Sequence, residues 1–124
     1  MVGDSGRFDV EVSGGSGVVV LTLAGELDHD TAEPLRTALD QQIESGAPRI
    51  VVDCAALTFC DSTGLNALLR ARLRAQEAGG RVELAGLRPP VSRMFEITGA
   101  RTVFTVHDDL RAALVAADRR PEQR

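Results

Sequence analysis

The sequence of 124 residues contains no lysine, no tryptophan and no tyrosine, and phenylalanine occurs only four times. Its fourteen basic residues are all arginines, and eighteen acidic residues outnumber them. Nucleic-acid binding usually requires an excess of positive charge, and often aromatic rings on which bases stack. Because the sequence supplies neither feature, we expect no nucleic-acid partner.

Long apolar runs and paired cysteines are also missing. The longest apolar stretch, VVVLTLA at residues 18–24, is much shorter than the roughly 20 residues that a membrane helix needs. The first residues, MVGDSGRF, lack the basic and then apolar pattern of a secretion signal, so we expect a cytoplasmic protein without membrane contact. Cys54 and Cys60 match neither a C-x-x-C motif nor a zinc-ligand spacing, and free thiols are expected. Cys54 is predicted to end a buried strand, and a reactive thiol at Cys60 is a minor alternative.

The hydrophobic pattern predicts a single α/β domain over residues 1–124. Its core is predicted from about residue 8 to residue 117, and the polar tail at 118–124 is expected to fray. Alternating apolar residues predict two N-terminal strands, at 8–12 and 18–23, and further strands are predicted at 50–54, 82–84 and 103–106. The element order is ββαβαβαβα, which implies a mixed, mostly parallel sheet with an antiparallel N-terminal strand pair and helices packed against it.

Caps and breakers predict where the helices begin and end. The first helix starts at Asp30, in a capping box with Glu33, or at Thr31, which avoids placing Pro34 where an N–H is needed. Later helices are predicted from Ser62 to Gly79, from Pro89 to Gly99, and from a cap at Asp108 or Asp109. The apolar side chains predicted to face the core in these later helices include Leu65, Leu68, Leu69, Leu73, Ile97 and Leu114.

Two polar segments at strand ends point to function. Residues 28–30, Asp-His-Asp, form an acidic turn after the second strand, and residues 61–64, Asp-Ser-Thr-Gly, lie in a short loop before the second helix. Sites in open α/β sheets form at such strand ends, so we expect the two segments to be neighbours. Helix capping alone explains the second segment, because Asp and Ser side chains accept hydrogen bonds from the N–H groups of a first turn.

Enzymatic and metal-dependent chemistry is not favoured by the residue pattern. A Ser62 nucleophile with His29 or His107 as base, and Asp28 or Asp61 as orienting acid, would make a serine hydrolase, but no G-x-S-x-G motif is present. Adjacent residues such as 28–30 rarely converge on one metal ion, and no phosphate-binding glycine loop with a lysine occurs. We therefore expect no catalytic residues and no metal site, while a triad assembled in space stays open at this level.

Three stretches of the chain resemble the STAS domain, in particular the small stand-alone anti-sigma factor antagonists of bacteria. They are GELDHDTAEPL at residues 25–35, IVVDCAALTFCDSTGLNALL at 50–69 and PPVSRMFEITGARTVFTV at 89–106. Together they span nearly the whole chain, and D-S-T-G-L after an apolar strand is a fairly specific signature. Asn66, where family members often have glycine, and Cys60, where a larger apolar residue is frequent, depart from the common pattern.

The resemblance implies a partner-switching role. In that family the serine of D-S-[ST]-G, Ser62 here, is phosphorylated by a partner that is both an anti-sigma factor and a serine kinase. The unphosphorylated form binds this partner and frees a sigma factor, phosphorylation ends the binding, and a PP2C-type phosphatase restores it. ATP and Mg²⁺ belong to the kinase, so no cofactor is expected here. Matching positions imply partner contacts at Asp28, Thr31, Asp61, Thr63, Gly64 and Leu65. The rival interpretation is a constitutive STAS scaffold or transporter-accessory module that is never phosphorylated.

Overall fold

Residues 7–15 and 17–116 are described by the computed structural model, which places five strands and four α-helices there. The strands are β1 Phe8–Gly15, β2 Val18–Leu27, β3 Arg49–Cys60, β4 Arg81–Ala85 and β5 Val106–His107. The helices are α1 Ala32–Glu44, α2 Ser62–Glu77, α3 Pro89–Thr98 and α4 Leu110–Val115. None of the helices in these ranges is long and apolar enough to cross a membrane. The predicted polar tail at 118–124, and residue 117 at the end of the predicted core, lie outside the described residues.

The five strands form one sheet in which the spatial order follows the chain order, β1-β2-β3-β4-β5. β1 and β2 pair antiparallel, with Val10 opposite Leu23. The pairs β2–β3, β3–β4 and β4–β5 are parallel. This arrangement confirms the predicted mixed sheet, its antiparallel N-terminal pair and the element order. β1 and β5 are the edges, so the outer side of β1 has no strand partner among the described residues.

Helices cover the two faces of the sheet unequally. On one face α1, α2 and α3 enclose the main core, in which Ile50, Leu68 and Phe95 are fully buried. On the other face α4 packs over β3, β4 and β5 and closes a small second core that contains Val51 and Ala113. Successive strand residues point to opposite faces, so these two cores lie on either side of the central strand β3.

β3 changes its side-chain alternation half-way along. From Cys54 onward every third residue is buried, namely Cys54, Leu57 and Cys60. The register with β2 shifts twice, between residues 22 and 24 and between residues 25 and 26, and β3 carries one extra residue at each shift. Such β-bulges bend a strand and re-aim its side chains. The predicted strand end at Cys54 is therefore wrong, because β3 continues to Cys60 and the connection to α2 is Asp61 alone.

A buried ion network connects the sheet to α4. Oε1 of Glu83 accepts hydrogen bonds from Nε and Nη2 of Arg49 at 3.0 and 2.6 Å, and Nε2 of His107 lies 2.9 Å from the same oxygen. Nε of Arg81 donates to Oε2 at 2.6 Å, and Nη2 of Arg49 also donates to the carbonyl of Ala113 in α4 at 2.9 Å. Burial acts to raise the pKa of Glu83, but the hydrogen bonds from Arg49, His107 and Arg81 outweigh it and lower that pKa.

The starts of α1 and α4 resolve two alternatives left by the sequence. α1 begins at Ala32 with Thr31 as its N-cap residue, so the start at Thr31 is confirmed and the capping box at Asp30 is wrong. Pro34 is then the third helical residue, where a missing N–H is tolerated. Of the two predicted caps for α4, the structure uses Asp109, whose Oδ1 accepts the N–H of Ala112 at 2.8 Å.

Three side chains predicted to face the core lie at the surface. Leu73 is 53% exposed, Ile97 78% and Leu114 40%. In α2 the small residues Ala67, Ala71 and Ala75 are buried together with Leu65 and Leu68, and this buried stripe misses Leu73. The predicted strand at 103–106 is also wrong over most of its length. A short 3₁₀ helix, Ala100–Thr102, follows α3, and pairing with β4 is confined to β5.

Candidate functional site

α2 begins directly after β3, and Asp61 is the residue between them. The backbone of Asp61 is extended, and its Oδ1 accepts the N–H of Gly64 at 3.0 Å. Its carbonyl accepts the N–H of Leu65 at 2.9 Å. Asp61 is thus the N-cap that the sequence predicts. Ser62 and Thr63 are the first two helical residues, and their N–H groups have no acceptor within the helix, as in the first turn of any α-helix.

The first turn of α2 packs tightly against the end of β2. The N–H of Asp61 donates to the carbonyl of Leu27 at 3.0 Å. A Cβ atom at Gly64 would lie 2.6 Å from Cγ of Leu27 and 3.1 Å from Sγ of Cys60. Only a residue without a side chain permits this approach. Because Asp28 follows Leu27, the two polar segments expected to be neighbours are in fact brought together at one edge of the sheet.

Asp28 organises the turn between β2 and α1. Its Oδ1 accepts the N–H groups of Asp30 and Thr31 at 2.9 and 3.1 Å. The Thr31 hydroxyl accepts the N–H of Asp28 and donates to the carbonyl of Glu26, both at 2.8 Å. Burial acts to raise the pKa of Asp28, but hydrogen bonds from the Asp30 N–H and the Arg7 guanidinium outweigh it and lower that pKa. The carboxylate is therefore ionised at neutral pH and holds the turn in one shape.

Arg7, which the sequence pattern did not single out, ties the start of β1 to this turn. Its guanidinium donates to the carboxylate of Asp28 and lies 3.7 Å from Oε1 of Glu26 and 4.0 Å from Oδ2 of Asp30. Its carbonyl accepts the N–H of Glu26 at 2.7 Å. No local spacing predicts this contact, because 21 residues separate Arg7 from Asp28. One signal was available, since Arg7 is the only basic residue before residue 36.

The six residues predicted to contact a partner differ in their access to solvent. Asp28, Asp61 and Thr63 are partly exposed, and the predicted phosphoacceptor Ser62 is exposed. Thr31 is 7% and Leu65 6% exposed, and Gly64 is also buried. These last three residues shape the surface from beneath rather than presenting side chains to it. The partner contact predicted for the group as a whole stays a prediction.

Neither histidine is hydrogen-bonded to Ser62 in the part of the chain that the structure describes. Nε2 of His29 lies 3.2 Å from Oδ1 of Asp30 in an exposed pair. His107 is engaged by Glu83 beneath α4. Ser62 makes no side-chain hydrogen bond to either ring within residues 7–15 and 17–116. In those same ranges no three His, Cys, Asp or Glu side chains are grouped so that they could hold a metal ion.

Both cysteines are free and buried. Cys54 lies in the middle of β3 rather than at its end. Burial, together with the nearby charge of Asp61, raises the pKa of Cys60 to about 12. The thiolate, which is the nucleophilic form, is therefore scarce at neutral pH, and this burial does not favour the alternative of a reactive thiol at Cys60.

Known proteins share both this sequence pattern and this architecture. The family model described as "Mlab, STAS domain" matches residues 10–115. An anti-sigma F factor antagonist from Paenibacillus polymyxa is 30% identical to this chain over 104 residues, which cover 83% of this chain and 89% of that protein.

Solved structures extend the similarity. An anti-sigma factor antagonist from Mycobacterium paratuberculosis superposes with a TM-score of 0.82 at 27% identity, over 90% of this chain and 94% of that one. The anti-sigma factor antagonist SpoIIAA in its unphosphorylated form gives a TM-score of 0.73 at 28% identity, over 87% and 93% of the two chains. The phosphorylated form of Bacillus SpoIIAA gives 0.68 at 26%, over 88% and 97%. This chain therefore belongs to the STAS domain family.

Proposed function

We propose that this chain is an anti-sigma factor antagonist that acts by partner switching. In the unphosphorylated state it binds an anti-sigma factor that is also a serine kinase, and a sigma factor is released. Phosphorylation of Ser62 by that kinase ends the binding, and a PP2C-type phosphatase restores it. The chain itself is not an enzyme. The proposal depends chiefly on one observation, the exposed Ser62 at the start of α2 in a chain whose relative is named an anti-sigma F factor antagonist.

The surroundings of Ser62 favour modification without loss of structure. The backbone before it is held by the bond from Asp61 to Leu27, and the turn after it is capped by the Asp61 carboxylate. The hydroxyl is therefore an exposed group on a fixed support, which is where functional side chains on loops and helix starts are usually found. A kinase reaches it without having to unwind α2.

The electrostatics of a helix start also tolerate the phosphate. A phosphoserine carries about −1.5 to −2 charges near neutral pH. At a helix N-terminus the dipole stabilises negative charge by about 0.3 to 1 kcal/mol, which offsets part of the repulsion from Asp61. We therefore expect the fold to persist after phosphorylation. Structures of SpoIIAA are known in both the unphosphorylated and the phosphorylated form, which supports a persistent fold for a protein of the same family.

Binding responds differently from folding, because a partner packed on this surface removes water from Ser62. A dianion at that position, beside Asp61, must then be desolvated. Leaving such a charge buried and unpaired at an interface costs about 2 to 5 kcal/mol. At 1.4 kcal/mol per decade of affinity, this cost corresponds to binding weaker by about thirtyfold to several thousandfold. That range is sufficient for a switch.

The remaining residues of the proposed surface have separate tasks. Asp28, Asp61 and Thr63 present polar groups to the partner. Thr31, Gly64 and Leu65 act beneath them: the Thr31 hydroxyl holds the Asp28 turn, and the absence of a side chain at Gly64 lets α2 approach β2. Substitutions at these buried positions are expected to disturb binding by moving Ser62 or Asp28.

Phosphate transfer is tested with the anti-sigma factor kinase encoded in the same genome. The purified chain is incubated with that kinase, ATP and Mg²⁺, and its intact mass is measured. We expect wild type and Thr63→Ala to gain one phosphate and Ser62→Ala to gain none. An unchanged mass for wild type, as a constitutive scaffold or transporter-accessory module predicts, or an equal gain on Ser62→Ala, refutes the acceptor assignment.

The switch itself is tested by measuring how Ser62→Asp binds the same anti-sigma factor kinase. We expect binding to the kinase to weaken while circular dichroism and the melting temperature stay near those of wild type. Unfolding of this variant would instead assign Ser62 a structural role.

A further inference from the structure

Phe59 differs from the other three phenylalanines of the chain. Its side chain is 48% exposed, whereas Phe8, Phe95 and Phe104 are 7%, 0% and 6% exposed. A single exposed apolar residue is common on protein surfaces and by itself indicates nothing. The question is therefore how the chain brings this ring to the surface, and beside which groups.

A β-bulge turns Phe59 outward. In a regular strand, a side chain two residues after the buried Leu57 points to the same face and would enter the core. The extra residue of β3 at the second register shift reverses this, so that Cys60 enters the core and Phe59 faces solvent. The hydroxyl of Thr58 donates to the carbonyl of Gly25 at 3.2 Å and holds the bulge in place. Bulges are over-represented beside functional sites, where they re-aim a side chain.

The outward ring lies at the same end of the sheet as the proposed partner surface. Phe59 precedes Asp61 by two residues and is in register with Glu26, whose side chain is 55% exposed. Two residues after Glu26 comes Asp28, and the Asp30 carboxylate is 64% exposed. These three carboxylates face the single guanidinium of Arg7, which leaves the rim next to Phe59 negatively charged.

We propose that Phe59 is the apolar anchor of the interface with the anti-sigma factor. The ring enters an apolar pocket of that partner, and cationic side chains around the pocket face Glu26 and Asp30. The inference rests on the proposed function, because it names a contact of the same surface. Aromatic residues are enriched in the cores of protein interfaces, and a few such anchors carry most of the binding energy. Phe59 then supplies affinity, while the state of Ser62 decides whether that affinity is used.

The test compares variants of the full chain by titration calorimetry against the anti-sigma factor kinase from the same genome, without ATP. We expect Phe59→Ala to raise Kd about tenfold to a hundredfold. Phe59→Leu, which keeps an apolar side chain of similar volume, falls between Phe59→Ala and wild type. Leu73→Ala is the matched control, because Leu73 is 53% exposed but lies eleven residues along α2 from Ser62. Its Kd should stay within twofold of wild type.

Each outcome of the titration decides a different point. If wild type binds and Phe59→Ala binds within twofold of it, the anchor assignment is wrong and the partner-switching function stands. If wild type binds no anti-sigma factor, both proposals fail. Melting curves and mass by light scattering accompany the titration. A smaller assembly for Phe59→Ala than for wild type would mean that a second copy covers the ring, which also overturns the proposal. If Phe59→Ala is poorly folded, the Kd of Phe59→Leu is compared with that of the control Leu73→Ala instead. Equal Kd values for these two variants overturn the proposal.

Discussion

Gly64 is the residue that allows α2 to start so close to β2. A Cβ atom there would lie 2.6 Å from Cγ and 2.8 Å from Cδ2 of Leu27, a side chain that is fully buried and cannot move aside freely. Forcing extra volume into a packed interior usually costs about 1 to 3 kcal/mol. The glycine in the D-S-T-G segment is therefore required by packing, whatever the partner does.

We predict that Gly64→Ala lowers the free energy of unfolding by about 1 to 3 kcal/mol, because the new methyl group displaces Leu27 or the first turn of α2. The matched control is Gly15→Ala, where no atom lies within 4 Å of the added Cβ and a change within about 0.5 kcal/mol is expected. Urea unfolding measures both. Equal stability of the two variants would show that the first turn of α2 accommodates the methyl group without loss of unfolding free energy.

The candidate site divides, residue by residue, into what local sequence reveals and what it does not. Asp61 and Ser62 are predictable because capping acts over three residues. Arg7 is not, since its contact with Asp28 depends on the antiparallel register of β1 and β2. Phe59 is missed for another reason: the predicted strand ends at Cys54, and the bulges in its continuation to Cys60, which turn the ring outward, leave no local signal in the sequence.

At the scale of elements, the start of α2 depends on a single cap. We predict that Asp61→Ala lowers the free energy of unfolding by about 1 kcal/mol, since the N–H of Gly64 loses its acceptor. Asp61→Asn keeps an acceptor oxygen and removes the charge, so its stability should stay close to that of wild type. Thermal and urea unfolding measure both variants. A loss as large in Asp61→Asn as in Asp61→Ala would assign the effect to charge and not to capping.

The predicted elements fail where neighbours, not local pattern, decide the structure. The apolar residues at 103–106 suggest a strand, but Phe104 is drawn into the main core beside Phe95, with ring centroids 6.1 Å apart. The chain therefore turns through a 3₁₀ helix before it reaches the edge of β4. In α2 the buried Ala67, Ala71 and Ala75 show that closely packed helix positions hold small side chains, which a pattern of large apolar residues overlooks.

At the scale of the whole molecule, the layered architecture was predictable because alternating strands and helices imply parallel neighbours with crossovers. Which face α4 covers was not predicted; in the structure α4 lies over the ion network around Glu83, where Nη2 of Arg49 donates to the carbonyl of Ala113. Arg49 and Glu83 are charged residues in otherwise apolar strands, yet their exposed fractions are only 4% and 6%. Their mutual hydrogen bonds and the one to Ala113 explain how charged side chains are accommodated beneath a helix.

Two carboxylates, one in this network and one in the turn before α1, predict how stability depends on pH. Asp28 and Glu83 have pKa values in the folded state that lie below their ordinary values. Such groups stabilise the fold fully above the pKa of the unfolded chain, about 4, and lose that contribution as pH falls through the folded pKa. We therefore expect the unfolding free energy to decline steeply below about pH 4, on the acid side of the unfolded values.

Urea unfolding from pH 7 to pH 3 checks this dependence with Asp28→Asn and Glu83→Gln. Both variants should show a shallower acid limb than wild type, because each has one fewer group to protonate. Glu83→Gln should also be less stable at pH 7 by about 3 to 5 kcal/mol, since the buried Arg49 loses its counter-charge. Constant m-values would verify two-state unfolding. Acid limbs parallel to that of wild type would contradict the lowered pKa values.

The outer side of β1, which pairs with no strand in residues 7–15 and 17–116, affects how the molecule behaves at high concentration. Free N–H and carbonyl groups along an edge strand are a template on which another strand can pair. Asp9 and Glu11 are exposed on this eight-residue strand. Two copies that approached edge to edge through β1 would crowd four carboxylates together, and their repulsion opposes the endless strand-on-strand stacking from which fibrils grow.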